Sequence, residues 1–223
     1  MNKTSYTNLA KAWEFAEDAA FARQSDRLHA LRLGAEEAGF GQGSASQADF
    51  LRMLVQLTGA RSVIVVGTCN AVETYQLVMG LNGSGQLTAV DSSPEGATLI
   101  RRMFAQLDNE TGTTLRVVNV AASQFLPRLN AADYDLIVVA GDADNYEPAY
   151  RQAVRLLRAG GSLTFTDAFA FAGPDANGGL LNPADRSGKA ATLRALLDTI
   201  MSDEEFDTTV VPVGSGLTIS VKR

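Results

Sequence analysis

This chain has almost no cysteine and almost no histidine: Cys69 and His29 are the only ones in 223 residues. A lone cysteine forms no internal disulfide, so the expected compartment is a reducing one. Long apolar runs are missing as well. The start, "MNKTSYTNLAKAWEFAEDAA", holds no segment fit for a signal peptide, and no stretch approaches membrane-spanning length. The expectation is a cytoplasmic protein with no membrane partner. Positive charge is also short, with a formal net charge of -6. Arg23, Arg27 and Arg32 lie near one another, but Glu17, Asp18, Asp26, Glu36 and Glu37 surround them. That pattern describes a solvated helix face, and with no clustered positive surface a nucleic-acid partner is not expected. No internal repeat divides the chain, so it reads as one domain, 1–223.

What is present is an ordinary globular composition, 46% hydrophobic and 20% charged, which excludes wholesale disorder. From Asn8 to about Gly39 apolar residues (Leu9, Trp13, Phe15, Ala16, Ala20, Leu28, Leu31, Leu33) recur at helical spacing, with Ser25-Asp26 as a capping break. "GFGQGSAS" (39–46) is a glycine- and serine-rich loop, and the amphipathic helix "SQADFLRMLVQLTGA" follows it. Residues 1–59 thus form a helical preface and lid, ahead of a core over 60–223. In that core the apolar runs 62–66, 86–91, 115–120, 135–140 and 162–167 alternate with helical patterns at 70–81, 94–107, 122–130, 146–158 and 185–202. Strands apolar on both faces and separated by helices belong to a parallel sheet covered on two sides, so the fold class is α/β and doubly wound. "FDTTVVPVGSGLTISVKR" breaks the alternation and reads as an antiparallel hairpin closing the sheet.

Glycine is scarce at the one place where it matters most. In "VIVVGTCNAVETY" a buried strand turns into a helix on a single glycine, Gly67. A dinucleotide site brings backbone against a pyrophosphate at several points and uses two or three glycines, so this turn argues against NAD. An adenosine ligand without phosphates needs less. Asp91, at the tip of the second strand, stands where an acid accepts hydrogen bonds from two ribose hydroxyls; a cap for the helix opening at "SSPEG" is the other reading, and the two are compatible.

With "VGT" (66–68), "AVDSSPE" (89–95), "YDLIVVAGDADNYEPAY" (134–150), "LLRAGGSLTFTDAF" (156–169) and "PVGSGLT" (212–218) in this order, the chain resembles a known family. It is similar to the class I S-adenosylmethionine-dependent O-methyltransferases, in the catechol and caffeoyl-CoA O-methyltransferase-like branch. The resemblance runs from "SQADFLRMLVQLTGARSVIVVGT" to the C-terminal "PVGSGLTISVKR". It implies a Rossmann-like, seven-stranded, mostly parallel sheet with an antiparallel last strand and a helical N-terminal extension. It also implies S-adenosylmethionine as cofactor, a small-molecule methyl acceptor and a homodimer, for which Trp13 and Phe15 offer an apolar surface. By position, Gly67 and Thr68 would line the methionine end and Asp91 would hold the ribose. Ser92, Ala121, Ala122 and Ser123 would border the adenine, and the 43–46 loop would fold over the site.

The chain departs from the pattern in ways that bear on chemistry. Ala71 replaces a second loop glycine, and Glu73 stands where relatives offer a hydroxyl to the cofactor carboxylate; as a first-turn acid it is expected to face solvent. Many relatives hold a divalent cation through a strand-four Asp and a strand-five Asp-Asn pair, with a nearby Lys as base. Here those positions fall on Ala140, on Asp167 followed by Ala168, and on Ala143. A shifted register would place Asp142 at the first ligand position. The expectation is methyl transfer without a metal, with Asp142 or Asp167 as a weak base or as the group orienting the acceptor. His29 reads as structural, and Cys69 as a buried space-filler. The alternative is a degenerate, non-catalytic member that binds the cofactor or a partner.

Overall fold

A computed structural model describes residues 3–173 and 175–223; Met1, Asn2 and Pro174, the last within the 169–186 loop, lie outside the described residues. The five doubly apolar runs become strands β1 (Ser62–Val66), β2 (Gln86–Asp91), β3 (Thr114–Asn119), β4 (Tyr134–Val139) and β5 (Leu157–Thr166), and the C-terminal hairpin becomes β6 (Phe206–Val211) and β7 (Leu217–Lys222). Around them lie α1 (Lys3–Phe21), α2 (Asp26–Glu37), α3 (Ala45–Thr58), α4 (Ala71–Leu81), α5 (Pro94–Leu107), α6 (Ala122–Phe125), α7 (Tyr146–Leu156) and α8 (Gly188–Met201).

The sheet order is β3-β2-β1-β4-β5-β7-β6. β1 to β5 pair in parallel, while β7 is antiparallel to both β5 and β6 and is therefore the one reversed strand. Chain order reverses between β1 and β4, which opens a crevice at the carboxyl ends of those strands. Alternation along β1 shows why the run had to be apolar throughout. Val63 and Val65 enter one core with Leu51, Leu77 and Leu81, while Ile64 and Val66 enter the other with Ile137, Tyr146 and Phe165. Each such side chain, taken out of water, contributes about 1.5–3 kcal/mol.

Local signals account for the preface. Ser25 caps α2 by accepting the Leu28 N–H at 3.3 Å, and His29 packs edge-on against Phe21 at 4.7 Å, a structural place. Glu17 of α1 collects the hydroxyls of Ser44 and Ser46 and the N–H groups of Ala45 and Ser46 at 2.5–3.0 Å, tying α1 to the start of α3. The loop read at 39–46 therefore ends earlier, because Ser44 caps α3 and Ala45 begins it.

Other boundaries moved as well. The helix expected over 122–130 is one α turn followed by a 3₁₀ turn, Leu126–Arg128, where Pro127 offers no N–H to continue the ladder. β4 begins and ends one residue before the expected 135–140, leaving Ala140 just past its end. β5 starts at Leu157 because that residue pairs with Tyr134 before a register shift restores the ladder at Leu136 and Ser162.

Candidate active site

At the crevice, one cavity of about 320 Å³ lies among the Gly39–Gly43 loop, the β1–α4 turn, the loop after β4, the end of β5 and the start of α8. Thr68, Asn70, Glu73, Asp142, Asp167 and Lys189 are its polar wall.

The β1–α4 turn is tight and strained, with Cys69 at φ 47°. Gly67 is required there, since a Cβ would stand 2.7 Å from the Asn70 carboxamide. Asp91, 2% exposed, reaches the same turn from β2, accepting the Cys69 N–H at 2.7 Å and the Ser93 N–H at 2.8 Å. Burial, against these two hydrogen bonds, leaves its carboxyl above the usual aspartate range. The aspartate thus ties the ends of β1 and β2 together. Ser92, next in the chain, and Ser123 are exposed, with Ala121 half-buried and Ala122 buried.

Gln42 straps the loop down, a role that no local pattern announced. Its Nε2 donates to the Cys69 carbonyl at 2.9 Å and its Oε1 accepts the Val72 N–H at 3.1 Å, one of the free donors at the start of α4. Across the cavity, Thr68 Oγ1 donates to Asp142 Oδ2 at 2.6 Å, and Gly141, at φ 77°, leaves room for the Thr68 N–H. Asp142 is exposed and sits three residues beyond the end of β4, while Ala140 directly follows the strand.

Glu73 corrects the expectation of a solvent-facing acid: it is 2% exposed and lines the cavity. The reason is that α4 has no solvent face, being buried along nearly its whole length under α2 and α3. Desolvation raises its carboxyl above the usual range despite the opposing charges of Arg32 and Lys189. Its Oε2 has no hydrogen-bond partner, and neither does Asn70 Nδ2 on the same wall. A buried donor and a buried acceptor left without partners on residues that line one cavity are costly unless something fills them.

Asp167 is the opposite case. It follows β5 at φ 49°, a left-handed residue held there by its own side chain, which accepts the N–H groups of Phe171 and Ala172, each at 3.0 Å. Its Oδ2 also pairs with Lys189 Nζ at 2.7 Å. Lys189 is the main residue that the sequence left unread. Asp185 delivers it by accepting the N–H groups of Ser187, Asn177 and Gly179, which pins the 177–187 segment and the start of α8. Those donors, Ser187 first, hold the Asp185 carboxyl well below the ordinary range.

These residues do not fit a divalent cation. A hard ion wants several oxygens. Ala140 and Ala168 offer methyl groups, Asp142 is engaged by Thr68, and Asp167 already takes three donors. Among the described residues no three His, Cys, Asp or Glu side chains stand together as ligands. Cys69 is fully buried, its thiol pushed up to about 12 by burial first and then by Asp91 and Glu73, so it is no nucleophile.

Known proteins share this fold. A solved O-methyltransferase from Bacillus cereus in complex with SAH superposes with a TM-score of 0.78 at 18% identity, over 96% of this chain and 99% of that one. The O-methyltransferase TomG from Streptomyces achromogenes, solved in complex with SAM, gives a TM-score of 0.77 at 16% identity over 95% and 97%. At these identities the likeness concerns the fold. A protein of Mycolicibacterium smegmatis assigned to the O-methyltransferases is 30% identical over 194 residues, 86% of this chain and 89% of that one. The model of the O-methyltransferase family matches residues 28–223. This chain therefore belongs to the O-methyltransferase family, whose members take their methyl group from S-adenosylmethionine.

Proposed function

We propose that the chain binds S-adenosylmethionine in the cavity at the β1–α4 turn and transfers its methyl group to an oxygen of a small-molecule acceptor without a metal ion. The observation that carries this reading is the pair of open groups on one wall, the Asn70 Nδ2 donor and the Glu73 Oε2 acceptor. An amino-acid end bears a carboxylate and an ammonium, and so answers both. Gly67 and Thr68 then border the methionine end. The Asp91 oxygens, each holding one backbone N–H, keep a second lone pair for the ribose hydroxyls. Ser92, Ala121, Ala122 and Ser123 border the adenine beyond. The acceptor occupies the side of Asp142 and Asp167, where Asp142 Oδ1 orients its hydroxyl and Asp167 holds the 169–172 segment in place. Positioning in line with the sulfonium supplies most of the lowering of the barrier. The unit works as one catalytic domain in the cytoplasm and pairs into a homodimer through the preface, where Phe15 is 75% exposed and Leu9 51%.

Isothermal titration tests the first half. Heat is expected with S-adenosylmethionine and with S-adenosylhomocysteine, and much weaker binding with adenosine, which lacks the zwitterion; no heat with the first two overturns the reading. For the second half, transfer to a panel of phenols and carboxylic acids is expected to survive EDTA. Loss of activity to the chelator with recovery on adding magnesium overturns metal independence.

A further inference from the structure

Lys189 has more donors than partners. Its side chain is only 12% exposed, its ammonium lines the cavity, and it forms an ion pair with Asp167 Oδ2 at 2.7 Å. The Tyr146 ring lies under it, with the nitrogen 5.4 Å from the ring centre. That ring offers a face but no lone pair, because the Tyr146 hydroxyl turns away to donate to the Thr166 carbonyl at 2.9 Å. The remaining charged groups around the ammonium are Glu73 from α4 and Asp142 from the β4 loop. Glu73 stands on the wall assigned to the amino-acid end, and Asp142 is bonded to Thr68. An ammonium carries three donors, and in an ion pair it has no lone pair with which to take a proton. So Lys189 is built as a donor of positive charge with free N–H groups at the lining of the cavity.

We propose that Lys189 is a catalytic residue of this enzyme: held by Asp167, its ammonium binds the acceptor oxygen and stabilises that oxygen as an anion, the part that a divalent cation cannot play at Ala140 and Ala168. The inference rests on the methyl-transfer reading and adds a residue to it. Asp167 becomes a positioning residue. The acceptor class follows as a hydroxyl that ionises readily, a phenol or a carboxylic acid, since one ammonium stabilises an oxyanion but does not remove the proton of an alcohol. On binding, the hydroxyl proton leaves to water. A lone pair of the oxyanion forms the new O–CH₃ bond while the S–CH₃ bonding pair stays on sulfur, so sulfonium and oxyanion are neutralised together and the products are a methyl ether or ester and S-adenosylhomocysteine. A charge-assisted hydrogen bond aimed at the reacting oxygen belongs to the interactions that count most for such a step.

The test uses 4-nitrophenol, whose ionisation is visible in its absorption. Titrated in the presence of excess native protein saturated with S-adenosylhomocysteine, its midpoint is expected to fall by about one unit relative to free solution, as an adjacent cation dictates. The Lys189→Met variant is expected to abolish that fall while still binding S-adenosylhomocysteine, and Lys189→Arg to retain it. Because Lys189→Met strands the Asp167 carboxylate, the double variant Asp167→Asn/Lys189→Met removes the pair together and should give the same loss of shift. Methyl transfer to the most active acceptor is expected to drop about 10²-fold in kcat in Lys189→Met. An unshifted midpoint with native protein, or a shift that persists in both variants lacking the lysine, overturns the proposal. If S-adenosylhomocysteine binds throughout, that failure leaves the cofactor reading standing; failure to bind it sinks the cofactor reading instead.

Discussion

Asp167 and Glu73 are carboxyl groups on facing walls of one cavity, 6% and 2% exposed, and the fold treats them in opposite ways. Asp167 is saturated, with two backbone N–H groups and an ammonium, and it keeps a strained backbone in place. Glu73 has an oxygen with no partner and a carboxyl raised by desolvation. A satisfied buried carboxylate is part of the scaffold; an unsatisfied one is an open position. The difference separates the wall that the protein completes by itself from the wall that waits for a ligand.

The sharpest way to break this comparison is Asp167→Asn. The amide accepts at one oxygen only, turns an NH₂ toward a donor, and leaves the Lys189 ammonium unpaired. Loss of one partner of a buried pair is expected to cost about 3 kcal/mol, read as a lower midpoint in urea denaturation. A change under about 0.5 kcal/mol would show that the three contacts contribute nothing to the scaffold.

Gly43→Ala probes the other wall. A Cβ at Gly43 meets the Glu73 carboxylate, so the side chain is driven from its place at the open position. Affinity for S-adenosylhomocysteine is expected to fall roughly tenfold, about 1.4 kcal/mol, by titration calorimetry. The double variant Gly43→Ala/Glu73→Ser should bind no worse than Glu73→Ser alone, because the two residues are in contact and their effects are then non-additive. Additive losses would mean that they act separately.

How much of this was legible beforehand depended on whether the cause was local. The strands were, because burial on both faces demands consecutive apolar residues, and runs such as "SVIVV" state that directly. Gly67 and Asp91 were legible for the same reason, as a turn and a strand tip within one unit. Glu73 was misread because a first-turn acid ordinarily faces water, and the burial of α4 is imposed by α2 and α3, which the local pattern does not contain. Gln42 and Lys189 left no signal at all. Gln42 sits on a loop, and Lys189 opens a helix whose preceding loop is folded by Asp185 gathering donors from two, six and eight residues away, a geometry that no periodic pattern records. "SGKAATLR" reads only as the start of a helix.

A smaller effect sharpens the comparison through its sign. Burial raises the Glu73 pKa above its unfolded value, so the folded state prefers the protonated form. The associated stability is complete below the ordinary glutamate pKa and is lost as pH rises through the raised one. Glu73→Gln resembles the protonated form. It is expected to match the native protein near pH 4 and to become the more stable of the two, by about 1 kcal/mol, once the pH has risen through the raised pKa of native Glu73 and its buried carboxylate must bear its charge. Stabilisation from Glu73→Gln beside destabilisation from Asp167→Asn is the pattern that the two walls require; loss of stability at pH 8 in both would erase the distinction.

The smallest expected effect belongs to Cys69 of the β1–α4 turn, which feels both Asp91 of β2 and Glu73 of α4. Its thiol is pushed up to about 12 by burial, with Asp91 and Glu73 adding to the shift. Only the thiolate reacts with an alkylating agent. Iodoacetamide at pH 8 should therefore leave the native protein unmodified by mass while labelling it fully in urea. Removing the Glu73 charge through Glu73→Gln takes away the last and least of the three causes, so the labelling rate should change little, because desolvation alone keeps the sulfur protonated. Rapid alkylation of the native protein would mean that the turn opens to solvent, and a turn that opens cannot keep Asn70 and Glu73 as fixed, unfilled partners for a ligand.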